Sequence, residues 1–144
     1  MTFIFAYLLC FISTTSSTPN NIYIELKINN IKSNEGQFLV SLYPSEKGFP
    51  YEPTEYFTFD KKNIQSGSMT IKIPVKKTGA YAISVVDDKN ENMEMDKNVF
   101  GVPKEGFGFS NNASPRGLRP PSFEDAKLTV SPKGVRTAID LKYY

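Results

Sequence analysis

Apolar residues recur at every second position along most of this chain, and that period leaves little room for anything but β-strands. Ile22, Ile24, Leu26 and Ile28 fall on one side, with Tyr23, Glu25 and Lys27 on the other. Successive side chains of a strand point to opposite faces, so such a segment buries one face and wets the other. Phe38, Val40 and Leu42 repeat the pattern after the turn-forming stretch Lys32-Ser33-Asn34-Glu35-Gly36, and the two segments read as a hairpin. Residues 56–59 form a short strand. Met69, Ile71, Ile73 and Val75 alternate again, as do Tyr81, Ile83 and Val85. The last of these runs is apolar on both sides at its end, which places it centrally in a sheet. Ala126, Leu128 and Val130, then Val135, Thr137, Ile139 and Leu141, resume the alternation around the tight turn Pro132-Lys133-Gly134. About seven short strands with regular turn signals and no helical period predict an all-β fold. The expected architecture is a two-sheet antiparallel β-sandwich of immunoglobulin-like or transthyretin-like topology.

Residues 3–12 read Phe-Ile-Phe-Ala-Tyr-Leu-Leu-Cys-Phe-Ile, and small polar residues follow. The run is too short to span a bilayer as a helix and fits the apolar core of a secretory signal. Residues 1–17 are therefore expected to be a signal peptide, and 18–144 a single domain in the periplasm or outside the cell, with no transmembrane segment once mature. Cys10 lies inside the apolar run with Leu8 and Leu9 before it, which argues against a lipid anchor. The mature protein would hold no cysteine, so burial alone must stabilise it.

The chain has no His and no Trp. Ser-His-Asp and Cys-His catalysis, His-ligated zinc and imidazole proton transfer are excluded with them. The net charge is +2 and the cations are scattered, whereas nucleic-acid binding calls for a concentrated basic face. Carboxylates, Lys, Tyr and hard-cation sites remain.

One segment stands out. Residues 87–122 have no period, too long a gap for an idle loop in a compact domain. It opens with Asp87-Asp88-Lys89-Asn90-Glu91-Asn92-Met93-Glu94-Met95-Asp96. Counting from Asp88, oxygen-bearing side chains stand at positions one (Asp88), three (Asn90), five (Asn92), seven (Glu94) and nine (Asp96). Alternate residues of a tightly wound loop can aim their oxygens at one point, and calcium takes six to eight such oxygens in irregular geometry. Asp87 or Glu105 could complete the shell. Oxygen-only ligands suit a hard cation rather than zinc or copper. The loop is no EF-hand: Met93 stands where that loop has Gly, and Val99 where it has a bidentate Glu. The competing reading is an Asx-rich connection whose side chains cap their own backbone.

Further on, residues 101–113 interleave Gly and Phe. Here Phe107, Phe109, Asn111 and Asn112 could rim a site for a cell-surface carbohydrate or protein. Alternatively, the rings plug one end of the sandwich, the commoner use of aromatics. Gly106-x-Gly108 is no dinucleotide fingerprint, since no helix follows. A hydrolase using Asp88, Asp96, Glu105, Glu124 or Asp125 is a third possibility, but no nucleophile–base arrangement is recognisable, and the expected protein is not an enzyme.

Taken together, Val86-Asp87-Asp88-x-Asn90-x-Asn92, Asp96-x-Asn98, Gly101-Val102-Pro103-Lys104-Glu105-Gly106-Phe107-Gly108-Phe109-Ser110-Asn111-Asn112-Ala113 and Pro121-Ser122-Phe123-Glu124-Asp125-Ala126 resemble an uncharacterised family of exported bacterial proteins, the domain of unknown function numbered two-one-four-one. The resemblance covers nearly the whole mature chain. It implies a periplasmic or secreted β-sandwich and brings no established activity. Two positions depart from the family pattern: Asp87 stands where the family tends to place His, and Met93 where it tends to place Gly. The first adds an oxygen ligand; the second puts the bend of the loop in question.

Overall fold

The computed structural model describes residues 21–117 and 119–144; the N-terminal apolar run lies outside them. Eight strands are present among the described residues: β1 (Ile22–Asn29), β2 (Gln37–Tyr43), β3 (Glu55–Asp60), β4 (Met69–Val75), β5 (Gly79–Asp88), β6 (Phe107–Phe109), β7 (Leu128–Val130) and β8 (Val135–Asp140). They form two sheets, one of three strands in the order β4-β1-β8 and one of five containing β3-β2-β5-β6, with β7 also pairing β5. The fold is an all-β sandwich.

The alternation written in the sequence becomes the core. Ile24, Leu26 and Ile28 of β1 and Ile71, Ile73 and Val75 of β4 meet Phe38, Val40 and Leu42 of β2 and Tyr81, Ile83 and Val85 of β5. Each such side chain contributes about 1.5–3 kcal/mol when fully buried. Strand β5 is central as expected, bonded to β2, β6 and β7.

Two strand pairings differ from the reading of the sequence. β1 and β2 are not a hairpin: β1 pairs with β4 and β8, whereas β2 pairs with β3 and β5. Their connection crosses between sheets, because period two fixes which face is buried but not which strand lies alongside. And one pair is parallel. The turn after β7, closed by Gly134 N–H donating to the Ser131 carbonyl at 2.8 Å, also passes between sheets, so Val135 arrives beside Ile24 running in the same direction.

The five-stranded sheet is covered on its outer face as well. A single helical turn, α1 (Phe123–Ala126), lies where the sequence suggested the start of a strand. Ser122 and Asp125 form a reciprocal capping box, which satisfies two otherwise orphaned N–H groups. Phe123 and Ala126 pack with Tyr43 and Ala82, and Phe49 and Phe109 border them. This explains why β2 is buried on both faces. Ser110, fully buried, joins the layers: its hydroxyl accepts from Ile83 N–H at 2.8 Å and donates to the Ala126 carbonyl at 2.5 Å.

Candidate functional site

Strand β5 ends in two adjacent carboxylates, and the pleat sends them opposite ways. Asp88 turns toward the loop that follows. It is 0% exposed, and its carboxylate accepts from Gln37 Nε2 at 3.0 Å, Asn92 N–H at 3.1 Å and Met93 N–H at 3.0 Å. The next two Asx residues act in the same way on a smaller scale. Asn90 Oδ1 accepts from Asn92 N–H at 3.4 Å, and Asn92 Oδ1 from Glu94 N–H at 3.0 Å. The chain thus winds around the side chains of positions one, three and five. Both amide nitrogens then reach one carboxylate: Asn90 Nδ2 and Asn92 Nδ2 donate to Asp96 at 2.8 and 3.0 Å.

Glu105 closes the base of the loop from the returning chain. Its two carboxylate oxygens accept from Lys89 N–H at 3.0 Å and Asp96 N–H at 3.2 Å. Burial pushes its carboxyl above the ordinary range. The two N–H donors oppose that shift, and the charges of Asp88 and Asp96 add to it. Glu105 therefore lies within reach of two further carboxylate charges across this loop. The far end is a tight turn in which Asn98 Oδ1 accepts from Phe100 and Val102 N–H.

Asp88, Asn90, Asn92, Asp96 and Glu105 thus share one hydrogen-bonded loop, each with its side-chain oxygens accepting from N–H groups. Among the described residues, however, no three His, Cys, Asp or Glu side chains are grouped so as to hold an ion in this arrangement; the cluster is completed by amides. Glu94 contributes its backbone N–H to the winding, while its carboxylate is exposed and unbonded to any described residue.

Over residues 26–138 the chain matches the model of a family described as an uncharacterized protein conserved in bacteria (DUF2141). The chain belongs to this family. Comparison with curated proteins and with solved structures finds no match.

The bend is kept without glycine: Met93 adopts φ +63°, a left-handed conformation that costs an L-residue about 1–2 kcal/mol. Met93→Gly is therefore expected to stabilise the protein by about 1 kcal/mol, measured as a rise in the urea midpoint. An unchanged or lower midpoint would show that the Met side chain compensates for the strain.

Asp87, the other residue that the sequence offered to the loop's shell, does not join it. It is in phase with Ile83 and Val85, and so points between the sheets. There it forms an ion pair with Lys61, the two side chains being 1% and 0% exposed. Tyr143 donates to the same carboxylate at 2.6 Å. Lys61 also donates to the Glu35 carbonyl at 2.6 Å and lies over the Phe38 ring. Burial, with the Asp87 carboxylate next, holds the Tyr143 hydroxyl well above its usual range. Asp87 is thus a core counter-ion and not a loop ligand. Nothing in the sequence marked Lys61 or Tyr143 as its partners.

The proposed aromatic and amide rim is not a single surface either. Asn111 and Asn112 both take left-handed φ values and tie segments together. Asn111 Nδ2 donates to the Lys127 carbonyl at 2.6 Å, and Asn112 Oδ1 accepts from Asp140 N–H at 2.8 Å. Phe107 and Phe109 stay apart from them, on the outer face of β6 opposite Val86 and Ser84 of β5. Phe107 is buried and stacks on Tyr144 at 5.8 Å; Phe109 meets Phe49 edge-on at 5.8 Å. The two glycines have a packing cause. A Cβ on Gly106 would overlap the Tyr143 ring, and one on Gly108 would overlap Ile139. Glu124 pairs with Lys127, and Asp125 caps α1 and faces Arg116.

Proposed function

We propose that this family member is an exported, non-enzymatic β-sandwich whose loop 88–105 binds one calcium ion as a structural cation. The observation that carries the reading is the winding of the loop itself. Asp88, Asn90 and Asn92 each hold backbone N–H groups of the residues that follow, and Asn90 and Asn92 converge on the Asp96 carboxylate. Each amide oxygen accepts one backbone N–H and keeps a second lone pair, so a cation could bind beside the Asp96 carboxylate, displacing the amide nitrogens, without undoing the winding. The mutual repulsion felt at Glu105 would then become attraction to a shared positive charge.

Several observations support a non-enzymatic role. The chain has no His. The buried carboxylates are occupied: Asp87 by Lys61, Asp88 and Glu105 by backbone N–H groups. A glycosidase needs two carboxyl groups facing each other across a cleft, whereas no Asp or Glu is among the described residues lining the apolar cavity beside β6. Export rests on the apolar run at residues 3–12. Among the described residues no helix is long and apolar enough to cross a membrane.

Thermal unfolding with calcium and with chelator tests the reading. At free calcium about ten times Kd, binding to the folded state alone adds about 1.4 kcal/mol, a midpoint rise of about 5 °C for a domain of this size. Identical midpoints in the two conditions would remove the cation.

A further inference from the structure

Beside the acidic loop, on the outer face of the five-stranded sheet, lies a cavity of about 300 Å³. Its floor is Ser84 and Val86 of β5 with Phe107 and Phe109 of β6. Met95 and Val102 wall it on the side of the acidic loop, and Pro115 and Pro120 on the side of the segment that leads to α1. Its volume falls at the small end of the range for organic-ligand sites, which are largely apolar with a few placed polar groups.

Two features say what kind of molecule would fit. The first is charge. Among the described lining residues Lys97 is the one ionic side chain, and none is Asp or Glu. Lys97 forms no ion pair with any described residue. It is held at the cavity by the loop, where residue 97 bridges to Pro103, while the neighbouring carboxylates Asp96 and Glu105 are turned inward to amide groups. The second feature is uncovered apolar surface at the mouth. Tyr51 and Tyr144, both lining residues, are each 73% exposed, and Phe100, next to the lining residue Gly101, is 80% exposed. Exposed aromatic surface concentrated around a concavity marks a binding site.

We infer that this groove binds a small amphipathic anion, an alkyl or aromatic body on the Phe107–Phe109 floor with a carboxylate or sulfonate head at Lys97. The apolar body supplies the larger part of the affinity by leaving water. The head contributes a charge-assisted hydrogen bond, stronger than a neutral one. The inference is independent of the calcium reading, although the loop proposed to hold the ion forms one wall of the groove.

The test uses the mature chain and defined probes. Anilinonaphthalene sulfonate, an aromatic anion that fluoresces in apolar surroundings, is titrated first and then displaced by decanoate, by decanol and by acetate. Saturable binding displaced by decanoate is expected, with decanol about tenfold weaker and acetate inactive. Lys97→Glu, an exposed position, should weaken decanoate by about tenfold or more and leave decanol unchanged. Val86→Phe should remove the binding of both, with circular dichroism checking that the sheet persists. Titrations in calcium and in chelator separate the two readings, since loss only in chelator implicates the wall and not the groove. Absence of saturable binding for every probe, as expected if the exposed rings dock a protein partner instead, would overturn the inference. So would decanoate binding that neither substitution alters.

Discussion

A Lys61→Met variant should be about 3–5 kcal/mol less stable than the parent chain, because it leaves the Asp87 carboxylate buried without its counter-charge. Lys61 and Asp87 are both essentially inaccessible. Tyr143 gives the carboxylate one hydrogen bond, which does not replace a full charge. The Lys61 ammonium also serves the Glu35 carbonyl, so the substitution frees an acceptor at the connection between β1 and β2. The converse variant, Asp87→Leu, should cost a similar amount by stranding the ammonium. Combining the two removes both charges together, and buried pairs replaced in this way by apolar residues are often neutral. The double variant should therefore recover most of the loss. Urea unfolding of all four proteins gives the coupling directly. Single-variant losses below about 1 kcal/mol, the range of exposed pairs, would mean that water reaches the pair.

Asp88→Ala is the second large effect expected, on the opposite face of the same strand. Three donors lose one acceptor: the Gln37 amide and the Asn92 and Met93 backbones. Hydrogen bonds to a charged group are worth about 1.5–3 kcal/mol each, and water can satisfy some of the freed donors at the loop surface. The expected loss is about 3 kcal/mol. Met93 should respond more than the mean stability implies, since its left-handed backbone is held by the N–H bond to Asp88. Amide hydrogen exchange at Asn92 and Met93 should pass from protected to fast, while β2 keeps its protection. A stability within 0.5 kcal/mol of the parent would show that the loop folds without its first Asx residue.

How much of this could be read from residues alone depends on what each pattern encodes. Period two located the strands that form the core, and the apolar end of β5 placed it centrally. The same period is silent about partners, so β1 and β2 were joined wrongly. β6 is three residues long, too short for alternation to register, and α1 was announced only by Ser122-x-x-Asp125. For the site, Asx spacing pointed to a wound loop, in which Asp88, Asn90 and Asn92 hold backbone N–H groups and Asn90 and Asn92 reach Asp96 through their amide nitrogens. The pleat could also have separated Asp87, since it is in phase with Ile83 and Val85. Lys61 was beyond reach: it sits beside the exposed Lys62 in an ordinary turn, and only the fold shows which of the two is buried. Whether Asn111 and Asn112 bind a ligand or tie the backbone is not legible in a sequence, because exposed amides and backbone-tying amides look the same there.

Equilibrium dialysis of the mature protein against calcium, with the bound metal counted, bears most directly on the wound acidic loop. One ion per chain is expected, reduced to none in Asp96→Ala, whose fold the buried Lys61–Asp87 pair should preserve. No bound calcium in the parent, or an equal amount in Asp96→Ala, would leave the loop as a self-capped turn that holds no ion.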